Sequence, residues 1–506
     1  MKLKQTNFFF FKLFLILCTV QLQSQVNNKT KKPNIILIMA DDLGYGDVGF
    51  NGNTVIKTPH MDRMAASGMK FTNFYSGGPV CSPTRGTCLT GRHYYRYGIF
   101  SANIGHLPTA EVTLPELLKD NGYATGHFGK WHIGTLSKEL SSKGASRKPA
   151  ENYSAPWHHS YDESFVTESS VATWNFSNGN SSKKNPYYHN GKVATENLSG
   201  DDSRVVMDRV IPFIEKASQE DTPFLSVIWF HAPHEPVVAG PEYRKMYADY
   251  SEGKQHYYGC ITAMDDQIGR LQEKLAALDI DDNTIIWFCS DNGPEGKVLT
   301  DDHPGSTGGL KGRKRSLHSG GVGVPSFVVW PGKVKSGTIS NYMSGTLDYL
   351  PTIIDQLHIK MPDARPLDGV SLVPMLEGKE AKRQQPLPFM HRGKVSWIQG
   401  DLRFMTGGKR VTEVYNLIED RFETTNVYDK YPDKIKEINA HIMEWNLSCK
   451  NSHSGGDYTG TFSPVDTWVG IDVNKSDIPK KKKNKKNKKN KKNKKNKKNK
   501  KNKTNE

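Results

Sequence analysis

At 506 residues the chain can bury a large core and should form one large domain with a smaller one beside it. Its formal charge of +16 belongs to the C-terminus alone, because residues 480–506 hold 17 Lys and one Glu and leave residues 1–479 neutral. A nucleic-acid-binding body cannot be argued from that balance, and the six Cys are too widely spaced for a metal cluster or a dense disulfide framework.

In chain order, the sequence opens Met1-Lys2-Leu3-Lys4 and runs apolar from Phe8 to Val20. A basic start and a short apolar run predict a signal peptide over residues 1–25, too short for a membrane span. Leu17 precedes Cys18, where a lipid-anchored precursor needs a small residue, so a lipoprotein anchor is not expected. The expected location is outside the cytoplasm: periplasmic, cell-surface or secreted.

Asn34 to Ala40 is a continuous apolar run, which predicts a strand buried on both faces, and it ends in Asp41-Asp42. Thr58-Pro59 starts a helix that stops near Gly68. Cys81-Ser82-Pro83-Thr84-Arg85 opens another, with Ser82 as cap, Pro83 at the first helical position and Gly91 as the stop. Cys81 then stands at a helix N-terminus, which favours an anion, with Arg85 one turn on. Thr113 to Asn121 is a short helix, and Tyr123 to Phe128 a strand leading into Gly129-Lys130-Trp131-His132. Residues 135–200 are polar and predict long loops, whose Trp157, Tyr161, Trp174 and Tyr187 offer platforms for sugar rings. Arg204 to Lys216 is a helix. Phe224 to Phe230 is a strand ending in His231-Ala232-Pro233-His234, and Tyr257 to Leu278 a helix. Thr284 to Cys289 is a strand followed by Ser290-Asp291-Asn292-Gly293, and Pro325 to Trp330 is one more.

Strands that alternate with helices predict an α/β fold with a large, mainly parallel sheet between helices. Sites in such folds lie beyond the carboxyl ends of the strands, where the chemically loaded groups recur here. Asp41, Asp42, Asp291 and Asn292 supply four oxygen ligands from two strand ends, a set that suits a hard cation, Ca²⁺ or Mg²⁺, and argues against zinc. From Pro388 to Phe404 and from Glu413 to Leu417 the pattern turns to short antiparallel strands, closed by a helix over Tyr431 to Trp445. The Lys-Lys-Asn repeat beyond Lys480 cannot bury a core and should be disordered.

The stretch Cys81-x-Pro83-x-Arg85, closed by Thr90-Gly91-Arg92, resembles the signature of the type I sulfatases of the alkaline-phosphatase-like superfamily. The resemblance runs from about residue 33 to about residue 447. It implies that Cys81 is oxidised to formylglycine (3-oxoalanine) by a maturating enzyme. It implies that Asp41, Asp42, Asp291 and Asn292 bind calcium, with residue 81 also at the metal. Arg85 then supports the hydrated aldehyde, and Lys130 and Lys311 bind the sulfate. His132 takes a proton from the second hydroxyl, and His234 protonates the leaving oxygen. His231 is a further substrate-binding candidate. After Lys311 the family usually has a Glu-Gly-Gly block closed by an Arg; this chain has Ser319-Gly320-Gly321-Val322-Gly323. Glu413 to Leu417 with Glu423-Thr424-Thr425-Asn426 resembles the family's C-terminal subdomain.

The expected organisation is a catalytic domain over residues 26–376, a C-terminal subdomain over 377–450, an extension over 451–479 and the Lys/Asn-rich tail over 480–506. The expected function is hydrolysis of sulfate esters on a sulfated carbohydrate, either an algal polysaccharide such as ulvan or a glycosaminoglycan. A phosphonate monoester or phosphodiester hydrolase of the same superfamily is the alternative. A non-catalytic polyanion-binding surface protein, with the tail as its working part, is the second. Cys88, Cys260, Cys289 and Cys449 allow one or two disulfides or buried thiols.

Overall fold

The computed structural model describes residues 31–471 apart from 177–182, 381, 461 and 463; the signal segment 1–25, the tail 480–506 and the end of the extension, 472–479, lie outside the described residues. A ten-stranded sheet forms the centre. Its middle is parallel: β1 (Asn34–Ala40) lies between β8 (Phe224–Trp229) and β9 (Thr284–Ser290), and β8 pairs with β4 (Ala124–Lys130), which pairs with β5 (Glu163–Thr167). Beyond β5 the sheet turns antiparallel through β6 (Tyr188–His189) and β7 (Lys192–Val193). Beyond β9, β10 (Ser326–Val329) is antiparallel, followed by β2 (Met69–Phe71) and β11 (Thr338–Ser340).

All seven residues of β1 are buried. Side chains alternate across a strand, so Ile35, Leu37 and Met39 enter one core and Ile36, Ile38 and Ala40 the other. The second core is roofed by helices α1 (Pro59–Ser67), α4 (Asp202–Gln219) and α5 (Glu252–Ala277). The first takes α2 (Cys81–Thr90), α3 (Leu114–Asp120), α6 (Tyr349–Gln356) and α7 (Pro432–His453). It also takes a four-stranded antiparallel sheet of β13 (Leu387–His391), β14 (Lys394–Gln399), β15 (Leu402–Thr406) and β16 (Val411–Asn416). The two-stranded pair of β3 (Phe74–Tyr75) and β12 (Ser344–Gly345) lies outside both sheets.

Several boundaries depart from expectation. Helix α2 begins at Cys81 itself, with extended Val80 as N-cap, and Pro83 sits at the third helical position. The N–H of that position is still without an intrahelical partner, so proline costs no bond there. Gly91 does stop the helix, at φ 64°, its N–H donating to the Thr87 carbonyl. Residues 135–200 are not all loop, because β5, β6 and β7 extend the sheet edge. Two of the aromatics of that stretch are core anchors and cannot serve as surface platforms, and two are partly covered. Tyr187 is fully buried and stacks on Phe165 at 4.3 Å, Tyr161 is buried, and Trp157 and Trp174 are half-buried. Cys81, Cys88, Cys260, Cys289 and Cys449 are all buried free thiols. No helix among the described residues is long and apolar enough to cross a membrane.

Candidate active site

The parallel register brings the ends of β1, β8, β4 and β9 to one rim. Phe230 N–H donates to the Met39 carbonyl, Asp41 N–H to that of Ala232, and Asp291 N–H to that of Ala40. Asp42 takes φ 66°, a region an aspartate enters more readily than most residues, and its N–H donates to Asp291 Oδ1 at 3.1 Å. Three carboxylates from two strand ends therefore meet in a fully buried place.

Three cations answer them. Arg85 reaches from α2 and donates through Nε and Nη2 to Asp291 Oδ2 at 3.2 and 2.7 Å, and through Nη1 to the Lys130 carbonyl at 3.2 Å. Lys130 Nζ donates to Asp41 Oδ2 at 2.6 Å, and Lys314 Nζ to Asp42 Oδ2 at 2.6 Å. The thiol of Cys81 lies 3.6 Å from Asp41 Oδ1. Burial alone would raise the Asp41 carboxyl, but Lys130, His234, Arg85 and Lys314 hold it well below the usual range. Burial, followed by the Asp291 carboxylate, pushes the Cys81 thiol far up, so as a plain cysteine it stays neutral.

The two histidines differ in their free atoms. His132, at φ 61°, donates from Nε2 to Asn103 Oδ1 at 2.9 Å, and its buried Nδ1 has no partner among the described residues. Burial, aided by Lys130 and Arg85, keeps it well below the usual histidine range, so it is a neutral ring with an open proton-accepting nitrogen. His234 donates from Nδ1 to the Glu235 carbonyl at 2.6 Å and turns Nε2 toward Asp42 Oδ2, 3.7 Å away. Cys81, His132, His234 and Lys314 all line one open cavity of about 420 Å³.

Two expected residues stand elsewhere. Lys311 does not join the cluster: its ammonium donates to the Tyr415 hydroxyl at 3.0 Å and the Glu423 carbonyl at 3.2 Å. Three residues on, Lys314 takes the place at the carboxylates. Its N–H bonds the Pro294 carbonyl and that of Arg315 bonds Pro79, which seats this part of the loop between the end of β9 and the start of α2. His231 is fully buried behind the site, its ring between Asp202 Oδ2 at 2.7 Å and Thr167 Oγ1 at 2.7 Å, and it is not among the residues that line the cavity.

Sequence reasoning also missed Asn103, which orients His132, and Ser170, whose Oγ donates to Asp41 Oδ2 at 2.9 Å. Both come from loops without a residue pattern that marks them. Lys314 stands in the run Lys311-Gly312-Arg313-Lys314-Arg315, where residue type alone does not separate one cation from another.

A family model described as Sulfatase matches residues 33–359. The chain belongs to the sulfatase family. This sulfatase is 31% identical over 442 residues to the N-acetylgalactosamine-6-sulfatase of Mus musculus, covering 81% of this chain and 78% of the relative. It is 30% identical over 390 residues to arylsulfatase A of Homo sapiens, covering 74% of each. Among solved structures, Ps i-CgsB in complex with k-i-k-neocarrahexaose is similar at TM-score 0.72 and 27% identity, over 82% of this chain and 93% of that one. The phosphonate monoester hydrolase of Agrobacterium radiobacter shares the fold at TM-score 0.58 and 19% identity, over 86% of this chain and 100% of that one. The sulfatase is thus a sulfuric ester hydrolase with the alkaline-phosphatase-like fold.

Proposed function

We propose that the enzyme removes sulfate from a sulfated carbohydrate outside the cytoplasm, with residue 81 in its formylglycine form and a divalent cation, calcium before magnesium, at Asp41, Asp42, Asp291 and Asn292. The observation that carries this is the convergence on Cys81, in one cavity, of Lys314, His132 and His234 from three separate loops. The substrate class is supported by the names of the relatives: an N-acetylgalactosamine-6-sulfatase and a structure solved with a neocarrahexaose. Export is supported by the signal-like residues 1–25.

The residues present fit a hard cation. All the donors are oxygens, and Asn292 Oδ1 is a buried amide oxygen without a hydrogen-bond partner among the described residues. Its amide nitrogen is already committed to Asp42 Oδ1 at 2.7 Å, which leaves the oxygen free to face a cation. A cation there would draw charge from sulfate and favour ionisation of a hydroxyl beside it. Oxidised and hydrated, residue 81 would offer two hydroxyls on one carbon, one to attack sulfur and one whose deprotonation expels sulfate.

The chain's own groups do the rest. Lys130 and Lys314 bind sulfate oxygens and offset the charge that develops on them. Arg85, tied to Asp291 and to the Lys130 carbonyl, holds the helix N-terminus against the carboxylates. His132 accepts a proton at Nδ1, and Asn103 fixes the ring so that this atom stays open. His234, whose Nδ1–H is committed to the Glu235 carbonyl, delivers a proton from Nε2 to the departing alcohol oxygen as the imidazolium, a form that burial disfavours and that Asp41 and Asp42 favour. The test is mass analysis of the peptide bearing residue 81, paired with sulfate release. Active enzyme should carry an aldehyde reactive toward hydrazines, and Cys81→Ala should fold and lose several orders of magnitude of turnover. A fully active sample with an unmodified thiol would overturn the reading.

A further inference from the structure

The wall of the cavity opposite the strand ends comes from the small sheet, through the turn His391-Arg392-Gly393 between β13 and β14. This turn is tied to the helix α2 region: the Tyr94 hydroxyl donates to the Met390 carbonyl and accepts from Met390 N–H at 3.3 Å. The turn is thereby fixed relative to Cys81, and Arg392 adopts φ 50°, a left-handed conformation that arginine rarely takes.

Its two polar residues are uncommitted. His391 is only 5% exposed, yet neither ring nitrogen has a partner among the described residues. A buried imidazole left unsatisfied is unfavourable, a cost that binding sites can carry because a ligand or water relieves it. Burial, with Arg392 and Arg315 adding to it, pushes the ring down to about 4, so at neutral pH it offers one donor and one acceptor, the pattern of a hydroxyl's partner. Arg392 and Lys143 are exposed at the same cavity, and no carboxylate pairs with either among the described residues. The rim also carries two acids. Glu295 holds Arg315 through two bonds of 2.6 and 2.9 Å, and Glu235 lies 3.3 Å from His303. Among the described residues that line the mouth, Arg392 and Lys143 are thus cations without a carboxylate partner, while Glu235, more than half exposed, meets a histidine that is charged only when protonated.

We propose that His391, Arg392 and Lys143 form a subsite for the sugar that bears the scissile sulfate, with a ring hydroxyl on His391 and a second anionic group of the glycan on Arg392 and Lys143. The inference rests on the glycan reading above. It adds that the preferred substrate carries two negative charges, not one. The second charge is a sulfate or a uronate carboxylate, since either accepts charge-assisted bonds from Arg and Lys.

The experiment measures binding, so that it does not depend on turnover. Cys81→Ala protein is titrated with inorganic sulfate, N-acetylgalactosamine 6-sulfate, the corresponding 4,6-disulfate, and a glucuronate-linked disaccharide of the 6-sulfate. The Cys81→Ala protein should bind at least one of the last two at least tenfold tighter than the monosulfated sugar, and which one identifies the second group. Adding Arg392→Ala or Lys143→Ala should shrink that preference at least fivefold, and Arg392→Lys should keep part of it. Adding His391→Ala should weaken all three sugars relative to inorganic sulfate. Equal affinity for singly and doubly charged sugars, or a preference untouched by both cation variants, overturns the subsite. Failure of the active enzyme to release sulfate from any sugar would instead overturn the glycan reading.

Discussion

At the scale of the residue, the decisive distinction is between Lys311 and Lys314. Both are cations in one short loop, but Lys314 is buried on Asp42 while Lys311 ties the loop to Tyr415 and Glu423. Lys314→Ala should therefore lower kcat about 10²–10³-fold, as removal of one fixed transition-state partner does. Lys311→Ala should act through loop position and cost turnover far less; steady-state kinetics on one sulfate ester compares the two. The oxygen-only set of Asp41, Asp42, Asp291 and Asn292 leads to a second expectation. Exhaustive chelation should abolish sulfate release, and Ca²⁺ should restore it better than Zn²⁺, because zinc favours nitrogen and sulfur donors.

At the scale of the element, the loop carrying Lys314 is clamped by the small sheet. Glu423 accepts from Ser319 N–H at 2.7 Å and from His318 Nδ1 at 3.0 Å, and pairs with Arg403 of β15 at 3.1 Å, both side chains fully buried. Where the family usually has an acid and a base within the loop, this chain has Ser319 and Gly323, and a buried acid and base reach the loop from beyond β16 and from β15. Glu423→Ala leaves Arg403 buried and unpaired, so it should cost about 3–5 kcal/mol in denaturant unfolding and lower turnover as Lys314 loses its anchor. Strand β4 carries a different signature. His127 is edge-on to Trp131 and Trp229, and burial pushes its ring down to about 3 from the usual 6.5. A depressed histidine stays neutral in the folded state while the unfolded chain takes up a proton below pH 6.5, so this residue withdraws stability as pH falls toward 3. Between pH 6.5 and 4.5 that withdrawal is about 2 kcal/mol. His127→Gln should lack it, and its stability deficit against the parent protein should narrow by that amount over the same range in urea titrations.

At the scale of the whole molecule, the charge is divided along the sequence. Residues 1–479 are neutral and residues 480–506 carry the whole excess of +16. Deleting 480–506 should leave turnover of a small sulfate ester unchanged at any ionic strength. The same deletion should remove most of the salt-dependent attraction to a dense polyanion, because that attraction comes from counterion release by the lysines. Column retention on a sulfated matrix across a salt gradient reads the second effect. A large fall in small-substrate turnover would count against a separate tail.

The parallel sheet was legible in the sequence. Fully apolar runs such as Asn34–Ala40 and Thr284–Cys289 can only be buried on both faces, and the polar residues that end them must then meet at one rim. That logic places Asp41, Asp42, Asp291 and Asn292 together, and the helix signals around Cys81 place Arg85 beside them. The element boundaries were less legible, since α2 begins at Cys81 without the Ser82 cap and the edge strands near residue 190 are too short to show a period. Which lysine reaches the carboxylates was not legible at all. Lys311 and Lys314 are the same residue type, and the choice depends on how the loop is seated by Pro79, Pro294, Tyr415 and Glu423, contacts that join segments far apart in the chain. The same holds for Asn103, Ser170 and the turn at Arg392. Local sequence determines which segments must be buried and what chemistry their ends carry; only the tertiary structure decides which loop side chain reaches them, because a loop has no period and takes its path from its anchors.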